Sequence, residues 1–251
     1  MAQVSRQKLR RKAILIKGFS EDQQEIEDDE QYIEYYKSFF YNNAGGAYEE
    51  NEIEIFEDIS ANELKSYFAS NILDYVVVVF LGHGATQDDY QLFKLNETEI
   101  IKPGQIEINS NKQLIILESC RSISPSKIHT IELSDKNPTY KEGGKFYYPI
   151  CRQSARTSYD DQIEQCNDGQ VIFFACSKGE TAKDFYFSRC LIQYAFNWHL
   201  DWRNCRKTLK ITELDNKIPI CVNHLAMEYA HEAQNPQIIG NIAFPFAVNK
   251  F

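Results

Sequence analysis

Short apolar runs of strand length alternate with longer amphipathic segments along this chain. Six segments are predicted to be strands: 12–18, 52–56, 75–80, 113–117, 170–176 and 241–248. Four others are predicted to be helices: 21–41, 60–70, 185–202 and 218–234. An all-apolar strand such as 75–80 is typical of a parallel sheet covered on both faces. The pattern therefore predicts an α/β fold with a mainly parallel sheet and helices on both faces.

The length of 251 residues fits one large domain better than two. Between Ser122 and Asp168 the periodicity weakens, so this stretch is predicted to be a long connection with at most a short strand and a short helix. The segment 90–95 is predicted to form a hairpin strand, and 241–248 an edge strand because it contains Pro245. One domain is expected, in which segment 123–168 joins a larger part, 12–122, to a smaller part, 169–251.

The formal charge of −9 argues against a nucleic-acid or anionic membrane partner, because phosphates would be repelled at long range. No apolar run approaches the ~18 residues that a membrane span needs, and the apolar stretch near the N-terminus is too short for a signal peptide. The seven cysteines are an odd number without C-x-x-C spacing, which favours reduced thiols over a disulfide framework or a metal site. We therefore expect a cytoplasmic protein.

Polar clusters follow three of the predicted strands. They are Gly82-His83-Gly84, Glu118-Ser119-Cys120-Arg121 and Ser177-Lys178-Gly179-Glu180. Ligands of parallel sheets bind beyond the carboxyl ends of the strands. We expect all three clusters to share one edge of the sheet.

His83 and Cys120 are the candidate catalytic pair at this edge. A thiol attacks a carbonyl well only as the thiolate, so an imidazole beside it must help to remove its proton. The N–H groups of Gly84 and Cys120 are the candidate donors to an oxyanion. Taken singly, a cysteine at a strand end is usually a buried small residue, and a histidine is usually a satisfied polar group. Cys176 also follows a strand, but no histidine accompanies it, and it ranks well below Cys120.

The segments 80–84, 117–122 and 170–184 resemble, in this order, the recurrent motifs of the caspase and metacaspase superfamily. The likeness extends from Lys12 to about Phe246. It implies a three-layer sandwich around a six-stranded sheet, and a cysteine endopeptidase that works through an acyl-enzyme. Caspases have Gln-Ala-Cys-Arg-Gly around the nucleophile, whereas this chain has Glu118-Ser119-Cys120-Arg121-Ser122. This difference favours the metacaspase or bacterial caspase-like branch.

The same resemblance implies protein or peptide substrates cut after Arg or Lys. Glu118 and Asp184 match positions that line the primary pocket, and Glu180 is a weaker third candidate; the simpler alternative is that these carboxylates cap a helix or pair with a surface lysine. Self-cleavage would follow Arg152 or Arg156 in the connection; the simpler alternative, favoured for either site alone, is that these arginines only make a loop soluble. Some relatives bind calcium, but no acidic cluster here has the spacing of a calcium loop, so no cofactor or metal is predicted.

Two other functions stay open. The chain could be a catalytically silent, caspase-like adaptor whose surface binds partners, although an adaptor needs neither His83 nor Cys120. It could also be a different thiol-dependent hydrolase on a similar sheet.

Overall fold

The computed structural model describes residues 8–122, 151–183 and 185–249. The α-helices of this part of the chain are α1 (Gln23–Tyr41), α2 (Ala61–Ser70), α3 (Arg152–Gln165), α4 (Tyr186–Leu200) and α5 (Ile218–Leu225). Its strands are β1 (Arg11–Lys17), β2 (Ile53–Glu57), β3 (Tyr75–Leu81), β4 (Gly84–Gln87), β5 (Tyr90–Lys94), β6 (Ile100–Ile101), β7 (Lys112–Glu118), β8 (Gly169–Phe174), β9 (Lys207–Lys210), β10 (Gln237–Ile239) and β11 (Pro245–Asn249).

Six strands form a central sheet in the order β10-β8-β7-β3-β1-β2. The pairings among β8, β7, β3, β1 and β2 are parallel, and β10 is antiparallel to β8. The strands come from both the 12–122 and the 169–251 parts, so these two parts share one sheet. The predicted α/β class with a mainly parallel six-stranded sheet is confirmed.

Helices cover both faces of this sheet. In β3 the side chains of Val77 and Val79 join a core cluster with residues of α1, α3, α4 and α5. Val76 and Val78, which point the opposite way, pack with α2 and with the hairpin strand β5. All seven side chains of β3 are buried, which is why its sequence is apolar without alternation. Three layers result, as predicted.

Most of the predicted elements are confirmed to within a few residues. Ser60 caps α2 and forms a capping box with Glu63. The predicted hairpin strand is β5, which pairs with β4 directly after His83.

The C-terminal part differs from the prediction. β11 pairs with β9 in a separate two-stranded sheet, and the edge of the central sheet is instead formed by β10. β10 has only three residues, too few for a periodic pattern. The predicted helix at 218–234 ends early: α5 gives way to a π-helical turn at Ala226–Ala230, and His231 has a left-handed backbone. In the connection, α3 has 14 residues and is longer than the predicted short helix. Residues 123–150 lie outside the described residues.

The expectation of reduced thiols alone was wrong. Cys190 on α4 and Cys221 on α5 form a disulfide. The sequence separation of 31 residues gave no sign of this pair, because two packed helices bring the cysteines together. Within the described residues, no helix has the length and apolar character needed to cross a bilayer. A cytoplasmic location stays a prediction.

Candidate active site

The register of β3 and β7 brings His83 and Cys120 to the same edge of the sheet. Leu81 at the end of β3 pairs with Glu118 at the end of β7, in parallel. His83 and Cys120 each follow two residues later along the chain. The Gly82 amide donates to the Glu118 carbonyl at 3.2 Å, which keeps the two segments adjacent beyond the strands. The sequence predicts that His83 and Cys120 lie at one edge of the sheet. The register adds that the two strands they follow are neighbours.

The thiol of Cys120 lies beneath the segment 181–183. Its Sγ donates to the Ala182 carbonyl oxygen at 3.7 Å, and the residue is completely buried. Burial raises the pKa of Cys120 to about 11, against the opposing effect of Lys183. In this conformation the thiol is therefore protonated and covered. A substrate can reach it only after the residues that cover it move, with segment 181–183 among them.

The imidazole of His83 contacts a carboxylate that sequence reasoning missed. Its Nε2 lies 3.2 Å from Oε2 of Glu25 on α1, and both side chains are about nine-tenths buried. Nδ1, the other ring nitrogen, is buried and has no hydrogen-bond partner within the described part of the chain. Burial raises the pKa of Glu25, and the neighbouring His83 opposes that effect. Glu25 stands in a polar, acidic run of α1, so its sequence surroundings did not single it out.

The hairpin that follows His83 holds the loop of the nucleophile. Nε2 of Gln91 donates to the carbonyl oxygen of Cys120 at 2.8 Å and to Oγ of Ser119 at 3.1 Å. Oγ1 of Thr86 donates to the carbonyl oxygen of Arg121 at 3.0 Å. Neither side chain was predicted, because the function of a hairpin residue depends on a loop distant in sequence.

Gly84 lies where a side chain would not fit. A Cβ at this position would be 2.6 Å from Oγ of Ser119 and 2.8 Å from the Leu92 carbonyl oxygen. On the same strand the Thr86 amide donates to the Ser122 carbonyl oxygen. Because amide directions alternate along an antiparallel strand, the amide of Gly84 faces the Cys120 loop as that of Thr86 does. This direction suits the predicted oxyanion donor.

Glu118 lies below the edge of the sheet, with 1% of its surface exposed. Its carboxylate accepts from the Ser188 amide at 3.0 Å and from the Tyr36 hydroxyl at 3.5 Å. Burial raises the pKa of Glu118 to about 8, in spite of the hydrogen bond from Ser188. The candidate pocket carboxylate therefore contacts α1 and α4 in this conformation.

Glu180 and Asp184 are the other two predicted substrate-binding residues. The Glu180 carboxylate accepts from the Ser177 amide, from the Asn235 amide and from Nδ2 of Asn235 at 2.7–3.0 Å. It thereby ties the loop after β8 to the segment before β10. Asp184 lies outside the described residues.

No family model matches this chain, and no curated protein matches it. Among solved structures it is similar to the Drosophila initiator caspase Dronc, with a TM-score of 0.49 and 9% identity over 95% of this chain and 81% of that chain. A likeness of this size says nothing about catalysis, so the chemistry proposed for this chain depends on its own contacts.

The two candidate self-cleavage residues are on α3. Arg152 begins the helix and donates to the carbonyl oxygens of Tyr41 and Tyr48. Arg156, in the next turn, is buried and pairs with Glu52 through two nitrogens. Both side chains are engaged with the folded core, so cutting after either one requires local unfolding.

Acidic side chains surround a small cavity beside His83. The cavity is lined by Ser20, Glu25, Asp28, Asp29, Gly82, His83 and Phe185. Burial raises the pKa of Asp29 to about 7, although Oγ of Ser20 donates to its carboxylate. Among residues 8–122, 151–183 and 185–249, no group of three or more His, Cys, Asp or Glu side chains is arranged to hold a metal ion.

Proposed function

We propose that this chain is a cysteine endopeptidase with Cys120 as nucleophile and His83 as general base. The observation that carries the proposal is the pairing of Leu81 with Glu118, which brings the two residues to the same edge of the sheet on neighbouring strands. The buried, unpartnered Nδ1 of His83 supports it, because a nitrogen with no partner inside the described chain is available for the thiol proton.

The reaction would begin when segment 181–183 moves away from Cys120. His83 accepts the thiol proton, and the thiolate adds to the substrate carbonyl. The amides of Gly84 and Cys120 donate to the oxyanion of the tetrahedral intermediate. His83 returns the proton to the leaving amine as the peptide bond breaks, which leaves a thioester on Cys120. A water molecule activated by His83 then hydrolyses the thioester and restores the thiol.

We propose substrates with Arg or Lys before the cut bond, as in the metacaspase-like branch. The carboxylates of Asp28 and Asp29 beside His83 support a cationic side chain, since they would attract it and repel an acidic one. Substrate binding by Glu118, Glu180 and Asp184 stays a prediction, as does self-cleavage after Arg152 or Arg156.

The experiment compares hydrolysis of peptide reporters that end in Arg, Lys, Asp or Leu. We expect turnover of the Arg and Lys reporters by the wild-type chain and its loss in Cys120→Ala. Cys176→Ala is the matched control, because Cys176 is an equally buried thiol at the end of the next strand. Equal turnover by Cys120→Ala and wild type would refute the proposal, and a preference for Asp would refute the basic specificity.

One observation favours a silent, adaptor-like function as the second candidate: the thiol of Cys120 is fully buried and contacts the Ala182 carbonyl oxygen of segment 181–183. An adaptor would keep this segment closed. Alkylation of Cys120 by iodoacetamide, read by peptide mass spectrometry with and without an Arg reporter, separates the two functions. A peptidase whose segment opens for substrate will show a change in the alkylation rate when the reporter is added, and a silent adaptor will show none.

A further inference from the structure

The partner of His83 at Nε2 is a carboxylate supplied by a different layer of the fold. Glu25 is the third residue of α1, where the helix dipole favours a negative charge. Asp22 caps the helix and accepts from the amides of Gln24 and Glu25, which fixes the first turn. The side chain of Glu25 therefore reaches His83 from a rigid position.

We infer that Glu25 is a positioning residue for His83, so that the catalytic unit has three members: Cys120, His83 and Glu25. The Glu25 carboxylate accepts a hydrogen bond from the N–H at Nε2 of His83. Nδ1 is then the basic nitrogen that receives the thiol proton. This inference rests on the proposed function and adds to it the residue that selects the tautomer.

The reasoning follows from the two ring nitrogens. A neutral imidazole carries one proton, and the hydrogen bond at one nitrogen decides where that proton resides. At 3.2 Å from Nε2, the ionised Glu25 carboxylate can only accept, so in that state it holds the ring proton on Nε2. When His83 becomes imidazolium, the same carboxylate stabilises the positive charge in a site that excludes water.

Several charged groups act on Glu25 and decide its ionisation. On its own helix Asp22 and Asp28 disfavour the carboxylate, and Asp29 lines the same cavity. His83, in the segment after β3, favours the ionised form of Glu25. The thiol of Cys120, after β7, is close enough for the charge of Glu25 to act on it. Among these groups the imidazole is the one that favours the ionised carboxylate of Glu25.

Glu25 could instead bind the cationic side chain of a substrate, since its Oε1 has no hydrogen-bond partner among the described residues. The two functions differ in what they change. Loss of a positioning residue lowers kcat and alters the titration of His83. Loss of a substrate-binding carboxylate raises KM for Arg reporters and leaves His83 unaltered.

The experiment uses Glu25→Gln, Glu25→Ala and Glu25→Asp, with Glu27→Gln as the matched control on the exposed side of α1. Nitrogen-15 NMR of the histidine rings gives the tautomer and the titration midpoint of His83, assigned with His83→Gln. We expect the proton on Nε2 in the wild type, and a midpoint lower by about 1 pH unit or more in Glu25→Gln because a neighbouring opposite charge is lost. Glu27→Gln will match the wild type.

Kinetics with the Arg reporter provide the second readout. We expect kcat to fall about 10²–10⁴-fold in Glu25→Ala with little change in KM, by analogy with other orienting carboxylates. Glu25→Asp will recover part of that loss because it keeps the charge. Thermal unfolding of each variant shows whether the fold is intact.

An unchanged tautomer and midpoint of His83 in Glu25→Gln would overturn the inference, and so would a rise in KM for Arg reporters at constant kcat. The NMR readout needs no turnover. If Cys120→Ala were to keep full activity, the proposed peptidase function would fail, while the titration of His83 would still decide whether Glu25 positions the ring.

Discussion

Nε2 of Gln91 donates a hydrogen bond to the carbonyl oxygen of Cys120 at 2.8 Å, so a side chain of the β4–β5 hairpin fixes the main chain of the candidate nucleophile. Nε2 also reaches Oγ of Ser119. The hairpin begins directly after His83. One short element therefore links the two loops on which the proposed chemistry depends.

Gln91→Ala will reduce turnover of an Arg reporter by about 10–100-fold, because a misplacement of the nucleophile by about 1 Å can cost about 10²-fold in rate. The loop of Cys120 loses the hydrogen bonds from Gln91 in this variant, while that from Thr86 and the dyad are intact. Gln87→Ala is the control, since Gln87 is an exposed residue of the same hairpin. Steady-state kinetics with both variants measure the effect. Full activity in Gln91→Ala would show that the hairpin does not position the nucleophile.

Asp29→Asn will stabilise the fold above pH 7. Burial raises the pKa of Asp29 to about 7 in the folded state, whereas an unfolded aspartate titrates near 3.9. The folded state therefore binds the proton more tightly. The contribution of Asp29 to stability is therefore greatest below about pH 4 and declines as the pH rises to 7, where Asp29 must ionise while buried.

The Asp29→Asn variant has no carboxyl group to ionise at this position, so it avoids the loss of stability that Asp29 causes as the pH rises. Urea unfolding at pH 8 will show Asp29→Asn more stable than the wild type by roughly 2–4 kcal/mol, and the two will converge near pH 4. Glu30→Gln, at an exposed neighbouring position, is the control. A variant that is less stable than the wild type at pH 8 would contradict this prediction.

Arg156→Ala will destabilise the chain by roughly 1.5–3 kcal/mol, because the buried carboxylate of Glu52 loses both hydrogen bonds from Arg156 and keeps the Glu49 amide and the more distant Arg11. Arg152→Ala will cost less, since that side chain is one-third exposed. Thermal or urea unfolding of the two variants measures the difference.

If self-cleavage occurs, we expect the cut after Arg152 to precede the cut after Arg156. A cut after Arg156 in the folded protein would contradict the conclusion that its side chain is held in a buried ion pair with Glu52.

Local patterns were sufficient to predict the sheet and the edge that bears the site. The apolar run at 75–80 and the polar cluster that ends it led directly to β3 and His83, since both signals lie within about ten residues. The contacts made by Gln91 and Glu25 could not be predicted in this way. Glu25 is one of several acidic residues on α1, and only the packing of that helix against the sheet distinguishes it from exposed Glu27.

The C-terminal errors have the same physical origin. β10 occupies the edge of the sheet with three residues, and its place depends on pairing with β8 more than on its own composition. The bond between Cys190 and Cys221 depends on the packing of α4 against α5, which no local pattern contains.

The most direct test of the central claim is active-site labelling with an arginyl chloromethyl ketone, located by peptide mass spectrometry. Cys151 is a competing thiol, because it is exposed and hydrogen bonds from the amides of Ser154 and Gln153 lower its pKa. The experiment therefore includes Cys151→Ser and His83→Ala. We predict a single label on Cys120 that persists in Cys151→Ser and is lost in His83→Ala. A label on another cysteine, or labelling of Cys120 that does not depend on His83, would contradict the account.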